Sequence, residues 1–537
     1  MKTIFKPLGV AAAVAAVTAG YAGVSSAAEV SARNVGDLAL VPYYTVRSGF
    51  ATGVHIINTT NLTQTVKVRA RRGSDSMDSL DFNLIMSPKD EWVGSLTQRE
   101  DGVIVFRTDD NTCTAPKASA TGNPGVTEFI MPDDTSDETE IDFRTGAEEG
   151  YIEVIGMGQI DGGAAGFYAK HVDGEPRDCA KVRENFFRVD GAQTPGYLPG
   201  SNPVKGVHSP GVTAQECSGT TLGCGALVSG LAVNVWEDTA SDALKVSWGI
   251  TDGNAGLEVG GNAVHIEDFA QLPMMTNQQR VIFGEQDALG YFFPDLDGGS
   301  PYSLNSSGLP TDAGDTEARG RFDALDGVRA ALGASSVQND WSARDSGSFT
   351  VGTDWVITMP GQYLMLDPLE YLFSLESEAL NKVCLADNDC NARDLPAKVD
   401  ITYYDREELG FTPEDEGLVV SPSFGELPGE DALPYEVNVI TWNLEGGGVD
   451  PVFDSEYVLN FKPQFGEDRG WADLKLTASA ARTQGVWFYG MDPNSDGSMV
   501  DVVNTAVPVI GFTAWERNFA ASPDANYGRA IDHSYGS

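Results

Sequence analysis

Between residues 63 and 108 the chain alternates apolar and polar side chains with a period of two, and this limits the fold more than any other feature. Val66, Val68 and Ala70 point one way, Lys67, Arg69 and Arg71 the other. Leu80, Phe82, Leu84 and Met86 repeat the pattern, followed by Trp92-Val93 and by GVIVFRT at 102–108. Successive side chains of an extended strand lie on opposite faces. Runs of this kind, broken by NTTN at 58–61 and RRGSDS at 71–76, predict antiparallel strands joined by turns. Residues 34–112 therefore read as the core of an immunoglobulin-like β-sandwich. The 60 glycines and 27 prolines among 537 residues suit many short strands and tight turns. With 41% hydrophobic residues there is enough apolar surface to build a core.

Beyond residue 112 the pattern thins. Residues 114–148 read as loop, including the acidic run MPDDTSDETEID at 131–142. Strand-like segments return at 150–156, 164–170 and 226–236, and residues 190–225 are rich in Gly, Pro and Ser. One segment has helical spacing: TEARGRFDALDGVRAALGA at 316–334 places Ala318, Phe322, Leu325, Val328 and Leu332 on one face. Asp315 suits its N-cap and Gly333 its stop. Strands follow at 353–360, 398–405, 435–443, 472–478, 485–491 and 506–517. No fixed period recurs, which argues against a solenoid or propeller. The expectation is a mainly β protein: an N-terminal β-sandwich over 29–145, then a larger β-rich domain over 146–537 with a helical insertion near 316–334.

Residues 1–28 have the form of a secretory signal: Lys2 and Lys6, a small-apolar run from Leu8, and Ser26-Ala27-Ala28 at the cleavage site. The formal charge is −43, and removing two lysines with that segment leaves −45. Such acidity argues against a nucleic-acid partner, because a phosphate backbone would be repelled. No later run of about 18 apolar residues reads as a transmembrane segment. Export also reads the six cysteines, 113, 179, 217, 224, 384 and 390, as disulfides. Six cysteines allow about 15 connectivities, which the sequence does not decide among; sequence closeness favours Cys217–Cys224 and Cys384–Cys390, leaving Cys113–Cys179.

The best candidate for bound chemistry is DPNSDGSMVD at 492–501. Asp492, Asn494 and Asp496 stand at positions 1, 3 and 5 of a calcium loop, with Gly497 at the turn. Val503 occupies the place of the usual bidentate acid, and Asp501 could close the shell instead. An Asx-rich turn between strands is the competing reading. DNDCNARD at 387–394 (Asp387, Asp389, Asn391, Asp394) lacks the glycine, and FPDLDGG offers only Asp295 and Asp297. VHSPG around Ser209 resembles a nucleophile elbow but has Val207 in place of the first glycine. Five scattered histidines, His55 among them, do not suggest a metal site. With 78 acids, paired carboxylates arise by number alone and do not identify a glycosidase. Tyr43-Tyr44, Tyr403-Tyr404 and Trp487-Phe488-Tyr489 could stack on sugars, though such aromatics in strands more often pack in a core.

GDLALVPYYTV at 36–46, VHIINTT with VKVRARR, and a helix followed by TDWVITMP together resemble an uncharacterised family of exported Gram-negative bacterial cell-surface proteins. The resemblance implies a cell-envelope location and supplies no catalytic residues. Three functions follow as expectations. The first is an exported structural protein, a surface-layer, sheath or filament-like subunit that self-associates with calcium and is not an enzyme. The second is a secreted β-sandwich that binds carbohydrate or another ligand, with envelope glycan as partner. The third is an extracellular hydrolase.

Overall fold

A computed structural model describes residues 28–131, 143–186, 242–269, 327–361, 397–411, 432–443, 451–461, 468–478 and 507–536, apart from a few positions within these stretches, and strands Val419–Val420, Tyr489–Met491 and Met499–Asp501. The fold is mainly β, built on four large sheets stacked in two pairs. The first sheet runs Glu29–Val30, Val264–Glu267, Leu38–Thr45, Glu149–Ile160, Thr63–Arg72, Asp78–Met86, Cys113–Ala115, antiparallel throughout. The second runs Leu257–Asn262, Leu244–Asp252, Phe50–Asn58, Glu91–Gln98, Ile104–Thr108, Thr127–Ile130, Ser119–Ala120.

These two sheets face each other as the period-two pattern requires. Val66, Val68, Ala70, Phe82 and Leu84 of the first meet Val54, Ile56, Trp92, Phe106 and Phe129 of the second. Phe82 stacks on Phe129 at 4.0 Å and meets Trp92 at 5.6 Å. Gly94 shares the inner face with Trp92, and a Cβ there would lie 2.5 Å from the indole, so only glycine leaves the ring its space. The NTTN turn closes on Asn58, whose Oδ1 accepts the Thr60 N–H at 2.9 Å while Nδ2 donates to the carbonyls of Leu62 and Ser87 at 2.8 Å.

The third sheet runs Gly410–Phe411, Ala397–Tyr404, Arg469–Ala478, Ser336–Ser342, Ser534–Gly536. The fourth runs Val419–Val420, Val458–Phe461, Val437–Trp442, Thr350–Thr358, Ile510–Asn518, Tyr527–Asp532. Between these two sheets, Trp442 stacks on Trp341 at 5.0 Å and meets Trp355 at the same distance. The fourth sheet is apolar on both faces. Trp355, Ile357 and Ile440 point to the third sheet, while Val356, Val439 and Phe512 join the core of the first sandwich. A strand buried on both faces reads as a near-continuous apolar run, which is what VITMP and VPVIGF are.

Three sequence expectations need adjustment. A division at residue 145 falls inside the first sandwich, because Glu149–Ile160 pairs with Leu38–Thr45 and Thr63–Arg72, and strands as late as Glu267 complete both sheets. The segment 164–170 is not a strand: Gly163–Ala169 is helical, burying Ala165, Tyr168 and Ala169 at i, i+3, i+4 spacing and leaving Phe167 exposed. The sheets are also wider than the seven-to-nine-strand immunoglobulin plan. Of the helix expected over 316–334, residues 327–328 and 330–332 are helical and strand Gly333–Ala334 follows directly. Val328 and Leu332 pack on Leu38, Leu40 and Ile266, on the outer face of the first sheet. Cys113–Cys179 forms as expected, tying an edge strand to helix Cys179–Phe186. Cys217, Cys224, Cys384 and Cys390 lie outside the described residues, as does the expected signal segment up to residue 27.

Candidate functional site

Strand Thr63–Arg72 is buried at every position, the cationic face included. Lys67 and Arg69 are fully buried and Arg71 nearly so. Their register explains how this is possible. Arg71 sits opposite Asp78, Arg69 opposite Asp81 on one side and Glu153 on the other, and Lys67 opposite Asn83. Arg71 Nη1 lies 2.7 Å from Asp78 Oδ1, and its Nε donates to Glu153 Oε1 at 2.6 Å. Arg69 Nε donates to Asp81 Oδ1 at 2.9 Å, and its Nη1 is 3.5 Å from Glu153 Oε2. Lys67 Nζ is 3.5 Å from Asp81 Oδ2. Three cations thus face three carboxylates. Burial pushes the Asp81 carboxyl up, but Arg69, Lys67 and Arg71 together hold it below the ordinary carboxylate range. Desolvation of such a ladder offsets much of its Coulomb energy. Its main effect is on register, since a one-residue slip of Thr63–Arg72 would bury Val68 against Asp81 and leave charges unpaired.

A second cluster joins the sandwiches. Residues 452–456 lie between strands Val437–Trp442 and Val458–Phe461, a parallel pair that needs a crossover. Asp354, buried in the fourth sheet, grips this segment: its Oδ2 accepts the Phe453 N–H and its Oδ1 the Thr441 hydroxyl, both at 2.8 Å. Burial pushes the Asp354 carboxyl up to about 7 against these hydrogen bonds. Phe453 then meets Tyr43 at 5.1 Å and Phe50 at 5.8 Å, both in the first sandwich. Next to it, Glu149 accepts the hydroxyls of Tyr43 and Ser455 and the Glu456 N–H, each at 2.7 Å. Burial raises the Glu149 carboxyl and, with Glu149 beside it, the Tyr43 hydroxyl. Arg47 closes the cluster, donating to the Asp454 carbonyl at 2.7 Å and pairing with Glu148 at 2.9 Å and Glu456 at 3.1 Å. Burial works against its charge, yet the surrounding acids, Glu149 first, hold the guanidinium above its ordinary range.

The calcium candidates Asp492, Asn494 and Asp496 lie outside the described residues, and of Asp501 only the backbone is described, in strand Met499–Asp501. Asp387, Asp389, Asn391, Asp394, Asp295, Asp297, Ser209, Trp487 and Phe488 are outside as well. Among the described residues no three His, Cys, Asp or Glu side chains gather as metal ligands. His55 sits on the outer face of strand Phe50–Asn58, inside the second sheet, half exposed and 3.6 Å from Glu91. Tyr43, Tyr44 and Tyr403 are buried. The sequence reading missed the docking segment 452–456, whose PVFDSEY carries no periodic signal. Among the described residues no helix is long and apolar enough to cross a membrane. Compared with known proteins, the chain matches no family model, no curated protein and no solved structure.

Proposed function

We propose that this chain is an exported structural protein of a bacterial cell surface, a rigid building block of a layer, sheath or filament. The observation that supports it most is the docking of the two sandwiches through a sheet buried on both faces. Such a sheet resists relative motion of the sandwiches, because interiors are close-packed and do not deform continuously. A load-transmitting subunit needs that stiffness. The charged ladder on Thr63–Arg72 adds a register lock. In this reading copies associate with one another, calcium held by Asp492, Asn494, Asp496 and Asp501 neutralises part of a chain of charge −43, and envelope glycan anchors the assembly.

Negative-stain electron microscopy of the chain without residues 1–28, with calcium and then with chelator, tests this. Ordered sheets or fibres that disperse on chelation are expected. Dispersed particles at high protein concentration in both conditions would overturn the structural role.

A further inference from the structure

The outer face of the third sheet carries an aromatic and polar row at one register level. Tyr404 pairs with Trp471, and Trp471 pairs with Asp340 on the next strand. Directly paired residues share a face, and the opposite face holds Tyr403, Ala472 and Trp341 in the core. Tyr404 and Trp471 stack at 4.2 Å with 10° between their planes. Gly410, next in the row, gives the Tyr404 ring its place: a Cβ there would lie 2.7 Å from it. The Tyr404 ring is thus backed on one side and stacked on the other. Trp471 remains 42% exposed, and its indole N–H makes no hydrogen bond among the described residues.

Polar groups border this ring. Gln338 and Asp473 form the adjacent row, with Gln338 Nε2 donating to Asp473 Oδ1 at 3.2 Å. Trp515 reaches over from the fourth sheet and donates its indole N–H to Asp340 Oδ1 at 3.2 Å. Arg529 lies 5.2 Å over the Trp515 ring.

We propose that this row binds a neutral pyranose glycan, with Trp471 stacked on the apolar C–H face of one sugar ring and Asp340, Asp473 and Gln338 bonding its hydroxyls. The surroundings select that ligand class. A wholly apolar partner would strip water from two carboxylates without replacing its hydrogen bonds. A polyanion would meet those carboxylates on a chain of charge −43. A cationic head group would compete with Arg529, already placed on Trp515 and beside Asp340. A sugar offers both an apolar face and a ring of donors, as an aromatic side chain flanked by acceptors requires.

Tryptophan-fluorescence titration of the full chain with hexamers of β-glucose, α-glucose, mannose and N-acetylglucosamine, and with a polyuronate hexamer, tests the site. The titration is read on dispersed protein, so its outcome is independent of whether copies assemble. At least one neutral hexamer should give a saturable change. Trp471→Ala should weaken it by about tenfold or more, Trp471→Tyr should largely retain it, and Asp340→Asn should weaken it. No neutral hexamer binding, binding of the polyuronate alone, or equal affinity in Trp471→Ala would each overturn the proposal. If Trp471→Ala fails to fold, Asp340→Asn and Asp473→Asn decide by the same criterion, and unchanged affinity in both overturns it.

Discussion

Single residues in this protein act mainly through what burial does to their charge. Arg71 is held by Asp78 and Glu153 with almost no solvent. Arg71→Met leaves two carboxylates short of a partner, and breaking a buried pair costs about 3–5 kcal/mol. A clear drop in the urea midpoint is expected. An unchanged midpoint would mean the ladder contributes nothing to stability. Asp354 bears on pH dependence. Its folded pKa of about 7 lies above the ordinary aspartate value of 3.8, so its contribution is fully present below 3.8 and lost as pH rises through 7. His533 and His265 act the opposite way, both pushed down to about 4 by burial. His533 Nε2 faces the Val356 carbonyl at 3.0 Å and His265 Nε2 accepts the Val246 N–H at 2.8 Å, which suits neutral rings. Their contribution is present above the unfolded value of about 6.5 and lost as pH falls through 4. Asp354→Asn should therefore be less stable than wild type at pH 5, with the gap narrowing toward pH 9. Parallel urea midpoints across that range would exclude a raised Asp354.

At the scale of elements, the outer face of the first sheet is covered in pieces. Val328 and Leu332 cover one part, and helices Gly163–Ala169 and Cys179–Phe186 cover another. The helix pair is small, and Cys113–Cys179 fastens it across 66 residues of sequence. Loop-closure entropy for that separation gives a ceiling of about 4 kcal/mol. The double variant Cys113→Ala/Cys179→Ala should show faster amide exchange over residues 163–186, while strands 63–72 and 78–86 stay protected. Uniform loss of protection across the first sandwich would mean the helices are part of its core. The segment 164–170 shows why an alternating pattern is ambiguous over seven residues: AAGFYAK fits either period, and the packing of Ala165, Tyr168 and Ala169 against Ile85 and Met157 settles it as helix. Trp471 lies one residue before the strand expected at 472–478, although Trp471, Asp473 and Lys475 alternate with Ala472, Leu474 and Leu476. Which of the two faces meets solvent was not readable until the third sheet was assembled.

For the whole molecule, the question is whether two sandwiches unfold as one. Their contact combines the Phe453 aromatic cluster, the Glu149 hydrogen bonds and a backbone bond from the Val437 N–H to the Gly73 carbonyl at 2.9 Å. Removing a buried phenylalanine costs about 3–5 kcal/mol. Phe453→Ala should split one calorimetric transition into two, the first sandwich melting apart from the second. A single transition shifted to lower temperature would show that the shared sheet alone couples them.

The alternation at 63–108 was enough by itself to show antiparallel strands with one apolar face, because a period of two is the repeat of an extended strand. The pairing of Cys113 with Cys179 was one of several connectivities the sequence left open, favoured only by the closeness of the other four cysteines. What the alternation left open was the burial of Lys67, Arg69 and Arg71. Their charge reads as a solvent face, and only the register of Asp78–Met86 and Glu149–Ile160 supplies the acids that make burial possible. The union of the two sandwiches was equally out of reach. It depends on contacts between Tyr43 and Phe453 and between Trp248 and Phe512, residues hundreds of positions apart that no local pattern links. Local periodicity determines which face of a strand is apolar, and tertiary structure decides what each face meets.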